Sequence, residues 1–429
     1  MASTYLSRTP STGVNRRTFT FSAWIKRARI NDYDIIFEAS NGSHSFQMAT
    51  NPTGDGDCIR IYDYTGTTNL AIKTNQAFRD LSAWYHIVLA VDTTQATNTN
   101  RAKFYVNGEQ VTSLATSTYP SQNYDTGLNN SVPMQIGRQQ SSSNYFDGSM
   151  AHVNFIDGLA YPASTFGETD SLTGIWKPIT SPSVTYGTNG FFLKFASSGS
   201  MGTDSSGNSN NFTVNGTLTQ TQDTPSNVFA TMNPLFAGDA NITYSNGNLK
   251  LTSTASAQKN AVSTIAVSSG KWYCEMVSRN GTNYPGFGIM DSQSVLQTSV
   301  SYLGSTADSY CMFQQGDYYN NGSASSTGIT WGVGSIMGIA IDLDSATKTI
   351  KFYKDGAEVH SATIATPANG YVFAASHNTN GTISEINFGN GYFGTTAVAS
   401  AGTNASGIGI FEYDVPTGYT ALSTKGLNL

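Results

Sequence analysis

The chain has 429 residues, of which 12% are charged and 12% are aromatic, and its formal net charge is -6. This charge argues against a nucleic-acid-binding protein, which needs a basic face. The low charged fraction argues against a helical enzyme, because exposed helix faces are filled with Lys, Glu and Arg. We therefore expect strands and turns whose polar surface consists of Ser, Thr, Asn, Gln and Gly.

No targeting or membrane segment is expected. The N-terminal stretch MASTYLSRTPSTGVNRR has no apolar region typical of a secretory signal, and no window approaches the length of a membrane span. Cys58, Cys274 and Cys311 lack metal-site spacing, so buried thiols are expected. A disulfide between Cys274 and Cys311 is an alternative that the sequence leaves open.

Alternating apolar residues predict strands along the whole chain, separated by turns rich in Gly, Asn and Asp. The first half contains TFTFSAWIKRA, YDIIFEAS, HSFQMAT, DCIRIYDY, TNLAIKTN, WYHIVLAVD, KFYVNGEQV, SVPMQIGRQ, GSMAHVNFIDGLAY and GFFLKFASS. After a polar segment, strands resume with ANITYSNGNLKLTS, GKWYCEMVS, GFGIMD, SYCMFQQGDYYNNG, WGVGSIMGIAID, KFYKDGAEV, GYVFAASHN and SEINFGNGYFG. The tail GIGIFEYDVPTGYTALSTKGLNL is expected to pack on the second domain or to dock onto a partner.

This pattern predicts an all-β chain with two antiparallel, jelly-roll-like β-sandwich domains in tandem. We place the first domain at residues 1–195, a linker at 196–235, and the second domain with its C-terminal tail at 236–429. Phe212, Val214 and Leu218 indicate that parts of the linker lie against a domain.

The same hairpin sequence pattern occurs twice in the chain. KFYVNGEQV at residues 103–111 and KFYKDGAEV at 351–359 each carry an aromatic pair followed by Asn-Gly or Asp-Gly. These dipeptides strongly predict two-residue hairpin turns, because both turn residues need positive φ. The repeat indicates two β-domains of related layout. Four tryptophans within strand patterns are expected in the cores: Trp24, Trp84, Trp272 and Trp331.

Ordered motifs in each half resemble known families. FTFSAWIKR, WYHIVLAVD, KFYVNGEQV, MQIGR and FDGSMAHVNFIDGLAY resemble a concanavalin A-like sandwich of the laminin G type over about residues 18–195. GKWYCEMV, GFGIMD, WGVGSIMGIAIDLD, IKFYKDG and EINFG resemble a SPRY domain over about 270–393. The connecting pieces DSSGNSNNFTVNGT, DTPSNVFATMNPL and DVPTGYTALST resemble those in structural proteins of tailed bacteriophages. That resemblance implies a virion protein, such as a tail fibre, spike or head appendage.

The sequence gives little support for catalysis. Glucanases of the concanavalin A-like fold carry paired carboxylates as E-x-D-x-x-E on one strand, whereas the seven Glu residues of this chain are widely separated. A catalytic pair formed by Asp residues that are distant in sequence is an alternative that the sequence leaves open. The five His residues are scattered and no G-x-S-x-G motif occurs, so nothing in the sequence favours a serine hydrolase.

A Ca²⁺ site is a minor hypothesis. Laminin G-like domains often bind Ca²⁺, and Asp55, Asp57 and Asp92 offer the hard oxygen ligands that this ion prefers. The alternative is that Asp55-Gly56-Asp57 forms an ordinary polar turn. No other cofactor is expected.

Two stretches combine aromatic and polar side chains as sugar-binding sites do. The first consists of Tyr62, Asp63 and Tyr64, and the second of Asp317, Tyr318, Tyr319 and Asn320. The alternative is that one Tyr of each pair faces the core and the other is merely exposed.

We interpret the chain as a non-catalytic virion surface protein that recognises a host-surface glycan. Its expected partners are other virion proteins and that glycan, with neither nucleic acid nor membrane insertion. By resemblance, a homo-oligomer, in particular a trimer, is expected, made in the host cytoplasm and located on the phage particle. The alternatives are a purely structural decoration or appendage protein and a carbohydrate-active hydrolase.

Overall fold

The structure, a computed structural model, describes residues 4–50, 56–141, 144–236, 241–280, 285–294 and 302–428. The chain is 43% strand and 2% helix, which confirms the predicted all-β fold class. Within the described ranges, no helix has the length and apolar character that a membrane crossing requires. The chain divides into two compact units, Met1–Gln220 and Thr221–Leu429. This single division does not decide the predicted domain and linker bounds, which stay predictions.

The first unit is built from short strands and two 3₁₀ turns. Its strands are β1 (Tyr5–Arg8), β2 (Thr18–Arg27), β3 (Asp34–Ser40), β4 (Ser45–Thr50), β5 (Ile59–Tyr64), β6 (Thr68–Thr74), β7 (Tyr85–Asp92), β8 (Ala102–Val106), β9 (Glu109–Gln110), β10 (Leu114–Thr118), β11 (Met134–Ile136), β12 (Gly148–Asp157), β13 (Gly167–Thr169), β14 (Trp176–Pro178), β15 (Phe191–Leu193) and β16 (Thr213–Asn215). The 3₁₀ turns are Asn98–Asn100 and Ala163–Thr165.

Two antiparallel sheets of the first unit enclose its main core. The eight-stranded sheet has the order β10-β6-β5-β4-β3-β11-β1-β16, and the six-stranded sheet has the order β15-β12-β2-β7-β8-β9. Strand alternation sends Phe21 of β2 and Phe37 of β3 into the space between the sheets, where their rings stack 4.8 Å apart. Phe212, from the segment predicted as a linker, is buried in the same core.

The second unit repeats this architecture. Its strands are β17 (Ile242–Ser245), β18 (Lys250–Ser253), β19 (Lys259–Val262), β20 (Lys271–Ser278), β21 (Gly286–Asp291), β22 (Ser309–Phe313), β23 (Asp317–Asn320), β24 (Ser323–Ser326), β25 (Ile336–Asp342), β26 (Thr349–Lys354), β27 (Ala357–Thr363), β28 (Tyr371–His377), β29 (Ile383–Asn387), β30 (Tyr392–Phe393), β31 (Thr396–Ala397) and β32 (Thr420–Ala421), and a 3₁₀ turn lies at Gly426–Asn428. One sheet has the order β17-β18-β29-β20-β25-β26-β27, with β32 parallel to β20. The other has the order β19-β28-β21-β22-β23-β24.

In each unit, a segment of little regular structure covers the outer face of the sheet that carries the repeated hairpin. Residues 158–190, the first cover, pack Phe166 and Trp176 against Val88 and Tyr105. Residues 399–428, the second cover, supply a group of aromatic and aliphatic side chains that packs with Tyr273 and Tyr353. The central strands of each hairpin-bearing sheet are therefore covered on both faces, which explains why β2 and β20 are buried almost throughout although they include polar residues.

Both predicted hairpins are confirmed. β8 pairs with β9 across Asn107-Gly108, and β26 pairs with β27 across Asp355-Gly356. The φ values are 48° and 90° in the first turn and 50° and 84° in the second, as type I′ turns require. These dipeptides were readable in the sequence because few other residues adopt positive φ without strain.

The predicted core residues are buried. Relative exposure of the four predicted core tryptophans lies between 2% and 7%. The three cysteines are buried, and Cys274 and Cys311 do not form a disulfide. They belong to different apolar clusters, one between the sheets and one on an outer face. Burial raises the pKa of both thiols well above its ordinary value, which makes them unreactive packing groups.

Candidate functional site

Tyr62 and Tyr64 lie side by side on the outer face of the eight-stranded sheet. They are two residues apart on β5, so both point away from the core, and their rings are nearly parallel with centroids 6.2 Å apart. Arg60 continues the row, with its guanidinium carbon 5.4 Å from the Tyr62 ring centroid and 5.7 Å from that of Tyr33. We call Tyr33, Arg60, Tyr62 and Tyr64 the aromatic strip.

Hydrogen bonds hold one end of the aromatic strip in place. Arg60 Nη2 donates to the Tyr33 hydroxyl at 3.0 Å, and that hydroxyl donates to Gln47 Oε1 at 3.0 Å. Gln47 Nε2 in turn donates to Glu38 Oε1 at 2.7 Å. The strip is thus a preformed row of rings flanked by amide and guanidinium groups, with Tyr64 the most exposed ring at 36%.

Asp63, predicted to act with Tyr62 and Tyr64, points the other way. It is fully buried, and its carboxylate accepts the Tyr124 hydroxyl and the Gly127 backbone N–H, each at 2.8 Å. Burial raises its pKa, and these two hydrogen bonds only partly offset that effect. Asp63 therefore orders the 124–127 loop from within and does not line a surface site. The alternative in which one of these tyrosines faces the core is wrong here, because both share the outer face.

The second predicted stretch does not form one surface. Tyr318 points into the sandwich, where its ring centroid lies 4.6 Å from that of His360. Tyr319 points to the opposite face and packs against Phe313 with ring centroids 5.3 Å apart. Asn320 Nδ2 donates to two backbone carbonyls, and Asp317 is half-buried. The alternation of β23 separates these four side chains.

Asp57 is committed to arginine. Its carboxylate lies 3.1 Å from both Arg27 and Arg79, and it accepts the Asn31 backbone N–H at 2.8 Å. Burial alone would raise the pKa of Asp57, but these partners outweigh it and hold the pKa below its usual range. Asp55, the other acidic residue of the predicted turn, lies outside the described residues.

Asp57 and Asp92 cannot share an ion. Asp92 is paired with Thr18 at one end of β2, whereas the Asp57 partner Arg27 is at the other end, about 30 Å away at the rise of a strand. In the part of the chain that the structure describes, no three His, Cys, Asp or Glu side chains are grouped as a metal site requires. The described side chains therefore do not fit the predicted Ca²⁺ site.

Asp92 instead lines a groove of about 320 Å³ on the outer face of the six-stranded sheet. We call it the corner groove, and its polar and aromatic lining comes from Asp92, Gln95, Asn100, Lys103, Tyr105 and Tyr161. Asp92 Oδ1 accepts from the Thr94 hydroxyl at 2.6 Å and Oδ2 accepts from Gln95 Nε2 at 2.6 Å. Burial would raise the pKa of Asp92, but these hydrogen bonds outweigh it and keep the carboxylate ionised at neutral pH.

A buried Ser–His pair beneath the first cover is arranged against nucleophilic chemistry. His86 Nδ1 accepts the indole N–H of Trp176 at 3.0 Å, and Nε2 lies 2.9 Å from Ser22 Oγ. Because an indole N–H only donates, the His86 proton must be on Nε2 and donates to the serine. A general base would need a free lone pair there. Burial lowers the pKa of His86 to about 3, so the ring is a neutral packing group.

Sequence reasoning missed Arg60 and most of the corner groove. Period-two alternation in IRIYDY places Arg60 with Tyr62 and Tyr64, so that signal was available. No local pattern in the sequence predicts the corner groove. Its lining combines β7, the 95–100 loop, β8 and the first cover, and Tyr105 has the appearance of an ordinary hairpin aromatic.

Comparison with protein families identifies two parts of the chain. Residues 2–163, from β1 to β12, match the concanavalin A-like lectin/glucanases superfamily. Residues 272–391, which include most of the second sandwich, match the SPRY domain. No curated protein matches the chain. Both domain resemblances expected from the sequence motifs are thereby confirmed.

Several solved structures are similar to this chain. Stonustoxin is 20% identical with a TM-score of 0.32, over 37% of this chain and 27% of the toxin chain. The SPRY domain of human HERC1 is 18% identical with a TM-score of 0.30, over 36% of this chain and 96% of that domain. The TRIM65 PSpry domain is 15% identical with a TM-score of 0.30, over 37% and 91% respectively.

Proposed function

Because the chain joins a concanavalin A-like domain to a SPRY domain, we propose that it is a non-catalytic binding protein on the surface of a tailed-phage particle, where it attaches to a host-cell glycan. Lectin-like and SPRY domains are typically binding modules, which supports binding rather than turnover. The joining segments, which resemble those of phage structural proteins, support the location on a tail fibre, spike or appendage. On this proposal the protein is a homo-oligomer whose other partners are virion proteins.

The aromatic strip is the observation that carries the glycan proposal. A sugar ring has a face of C–H groups that packs on an aromatic ring, while its hydroxyls need donors and acceptors at the edge. The parallel rings of Tyr62 and Tyr64 offer the aromatic face, and the Arg60 guanidinium with the exposed Tyr64 hydroxyl offers the hydrogen-bonding groups at the edge. From Arg60 to Tyr64 the strip extends about 13 Å along β5, which suits a run of sugar units better than a single ring.

The test is a glycan array that includes host polysaccharides, probed with the full chain and with a Tyr62→Ala/Tyr64→Ala double variant. We expect the wild-type chain to bind and the double variant to lose about tenfold or more in affinity, because two stacking faces are removed. Tyr62→Phe/Tyr64→Phe is the matched control: it keeps both rings and should keep most of the binding. An array without any bound glycan would overturn the proposal, as would release of reducing ends from a bound polysaccharide.

A structural role is the second candidate, and one hairpin favours it. The tip between β13 and β14 exposes Leu172 at 94% and Ile175 at 53%. Asp170 orders this tip by accepting the backbone N–H groups of Leu172 and Thr173, each at 3.0 Å. An ordered tip with two exposed aliphatic side chains suits a contact with another protein. The structural role is supported if Leu172→Ser/Ile175→Ser prevents incorporation of the protein into particles and the glycan array shows no binding by the wild-type chain.

A further inference from the structure

We propose that the corner groove is a second sugar-binding site, which takes a single neutral pyranose ring. It lies on the six-stranded sheet, whereas the aromatic strip lies on the eight-stranded sheet of the same unit. The inference rests on the proposed glycan binding and names the ligand of a different site.

The groove exists because a small residue lies where the first cover begins. Alternation along β7 points Val88, Ala90 and Asp92 away from the main core, since Leu89 and Val91 belong to that core. Val88 is buried under the cover. Ala90 forms the groove floor next to it, and its methyl group leaves the hollow of about 320 Å³ unfilled. A hollow of this size is at the lower end of ligand pockets, which fits one sugar ring rather than a longer chain.

Both walls are fixed before any ligand arrives. On one side, the Thr20 hydroxyl donates to the Leu159 carbonyl and accepts the Tyr161 backbone N–H, each at 2.8 Å. On the other side, Arg101 donates to the carbonyls of Gln95 at 2.8 Å and Ala96 at 2.7 Å, which ties the 95–100 loop to β8. A preformed site binds more tightly because little conformational entropy is lost on binding.

The lining has the chemistry that a neutral sugar needs. Tyr105 and Tyr161 supply aromatic surface for the C–H face of a ring. The amide of Asn100 both donates to and accepts from sugar hydroxyls, and the Lys103 ammonium donates to them, whereas the Asp92 carboxylate is already held by Thr94 and Gln95. The Asp92 carboxylate and the Lys103 ammonium have opposite charges, so the groove favours neither an acidic nor a basic sugar.

The experiment fills the groove from its rim. Ala160 is exposed and lines the groove, so Ala160→Phe places a ring in the ligand space without changing the core. Ser164→Phe, another exposed position of the same segment that does not line the groove, is the matched control. Asn100→Ala removes an amide from the exposed loop and provides a second test that does not depend on the added ring. Saturation-transfer NMR on the full chain uses methyl glucoside, galactoside, mannoside and N-acetylglucosaminide as probes, with glucuronic acid and glucosamine as charged counterparts.

We expect at least one neutral probe to bind the wild-type chain, and its affinity to fall at least about tenfold in Ala160→Phe but not in Ser164→Phe. Asn100→Ala should weaken the binding of the same probe, because the groove loses one amide. Binding that Ala160→Phe does not weaken, a preference for the charged probes, or no bound neutral probe would each overturn the inference. Array binding that is lost only in the tyrosine double variant would then leave the proposed function intact, so the two failures are distinguishable.

Discussion

The hairpins at residues 103–111 and 351–359 are alike in more than sequence. Asn107 Oδ1 accepts the His86 backbone N–H at 2.8 Å, and Asp355 Oδ1 accepts the Ile336 backbone N–H at 2.9 Å. Each turn thus donates and accepts in the same way toward the preceding strand. The turn glycines also match: a methyl group on Gly108 would lie 2.9 Å from the Trp176 ring, and one on Gly356 would lie 2.7 Å from the Tyr413 ring.

The aromatic pair divides between two layers in both units. Phe104 and Phe352 point into the main cores, whereas Tyr105 and Tyr353 point outward under the covers. The repeated sequence therefore produces the same arrangement twice: the first strand of the hairpin packs on the main core with its Phe and against the cover with its Tyr. Each hairpin-bearing sheet needs a cover because its outer face would otherwise expose an aromatic strand.

The units differ in how the cover is anchored. In the first unit, neutral His86 accepts the Trp176 indole N–H. In the second unit, the fully buried carboxylate of Glu275 accepts the backbone N–H groups of Glu412 at 2.8 Å and Tyr413 at 2.9 Å. The comparison shows that the turn makes the same hydrogen bonds in both units, whereas different residues anchor the covering segment in each.

Truncating the inward aromatic should have the largest effect. Phe104→Ala and Phe352→Ala should each lower the free energy of unfolding by about 3–5 kcal/mol, because each leaves a cavity in a main core. Tyr105→Ala and Tyr353→Ala should cost less, since both side chains are only half-buried. Urea unfolding, with hydrogen exchange to separate the units, measures all four. Equal losses for the Phe and Tyr variants would contradict the two-layer description.

The Glu275 anchor should make the second unit sensitive to pH. Burial raises the pKa of Glu275 from 4.5 to about 7, and the backbone N–H groups of Glu412 and Tyr413 only partly offset this. A raised acid pKa means that the folded state binds the proton more tightly than the unfolded state. The contribution of Glu275 is therefore greatest below about pH 4.5 and is lost as the pH rises to about 7, by about 3 kcal/mol.

Glu275→Gln tests this by removing the titration. The unfolding free energy of the wild type relative to that of Glu275→Gln should be highest at about pH 4.5. It should then decrease as the pH rises to about 7. Glu358→Gln, at a half-exposed carboxylate of the same unit, is the control and should show a much smaller change. A difference between wild type and Glu275→Gln that stays constant with pH would refute the assignment.

The turn glycines should show a smaller, shared effect. Gly108→Ala and Gly356→Ala should each lower the unfolding free energy by about 1–3 kcal/mol, because both positions have positive φ and a ring close by. In a Trp176→Ala background the cost of Gly108→Ala should fall, since only the φ strain remains. An unchanged cost in that double-mutant cycle would show that the ring contact is irrelevant.

Exchanging the other turn residue should have the smallest effect. Asn107→Asp and Asp355→Asn should change the unfolding free energy by no more than about 0.5 kcal/mol, because Asn and Asp both tolerate positive φ and keep the Oδ1 acceptor. The corresponding Ala variants, which lose that acceptor, should cost about 1 kcal/mol more. A large effect of the exchange alone would mean that charge, rather than geometry, matters at these turns.

Patterns within a few residues were readable before the structure. The type I′ turns, the strand periodicity and the burial of Trp24 and Trp272 all follow from local φ preferences and period-two alternation. The candidate site was readable only in part. The sequence motif identified Tyr62 and Tyr64 but wrongly grouped Asp63 with them. Adjacent residues of a strand face opposite sides of the sheet, and a motif of consecutive residues does not take this into account.

The sequence by itself determined the strands, the two repeated turns and the pair of sandwich domains, since these depend on steric preferences and apolar alternation over short stretches. Tertiary structure alone decided which outward side chains stay open to a ligand. Tyr64 is exposed whereas Tyr353 lies under the second cover, and the contacts that make this difference join residues far apart in the chain. Covering segments of little regular structure carry no periodic signal, so only the folded chain shows which sheet face each of them buries.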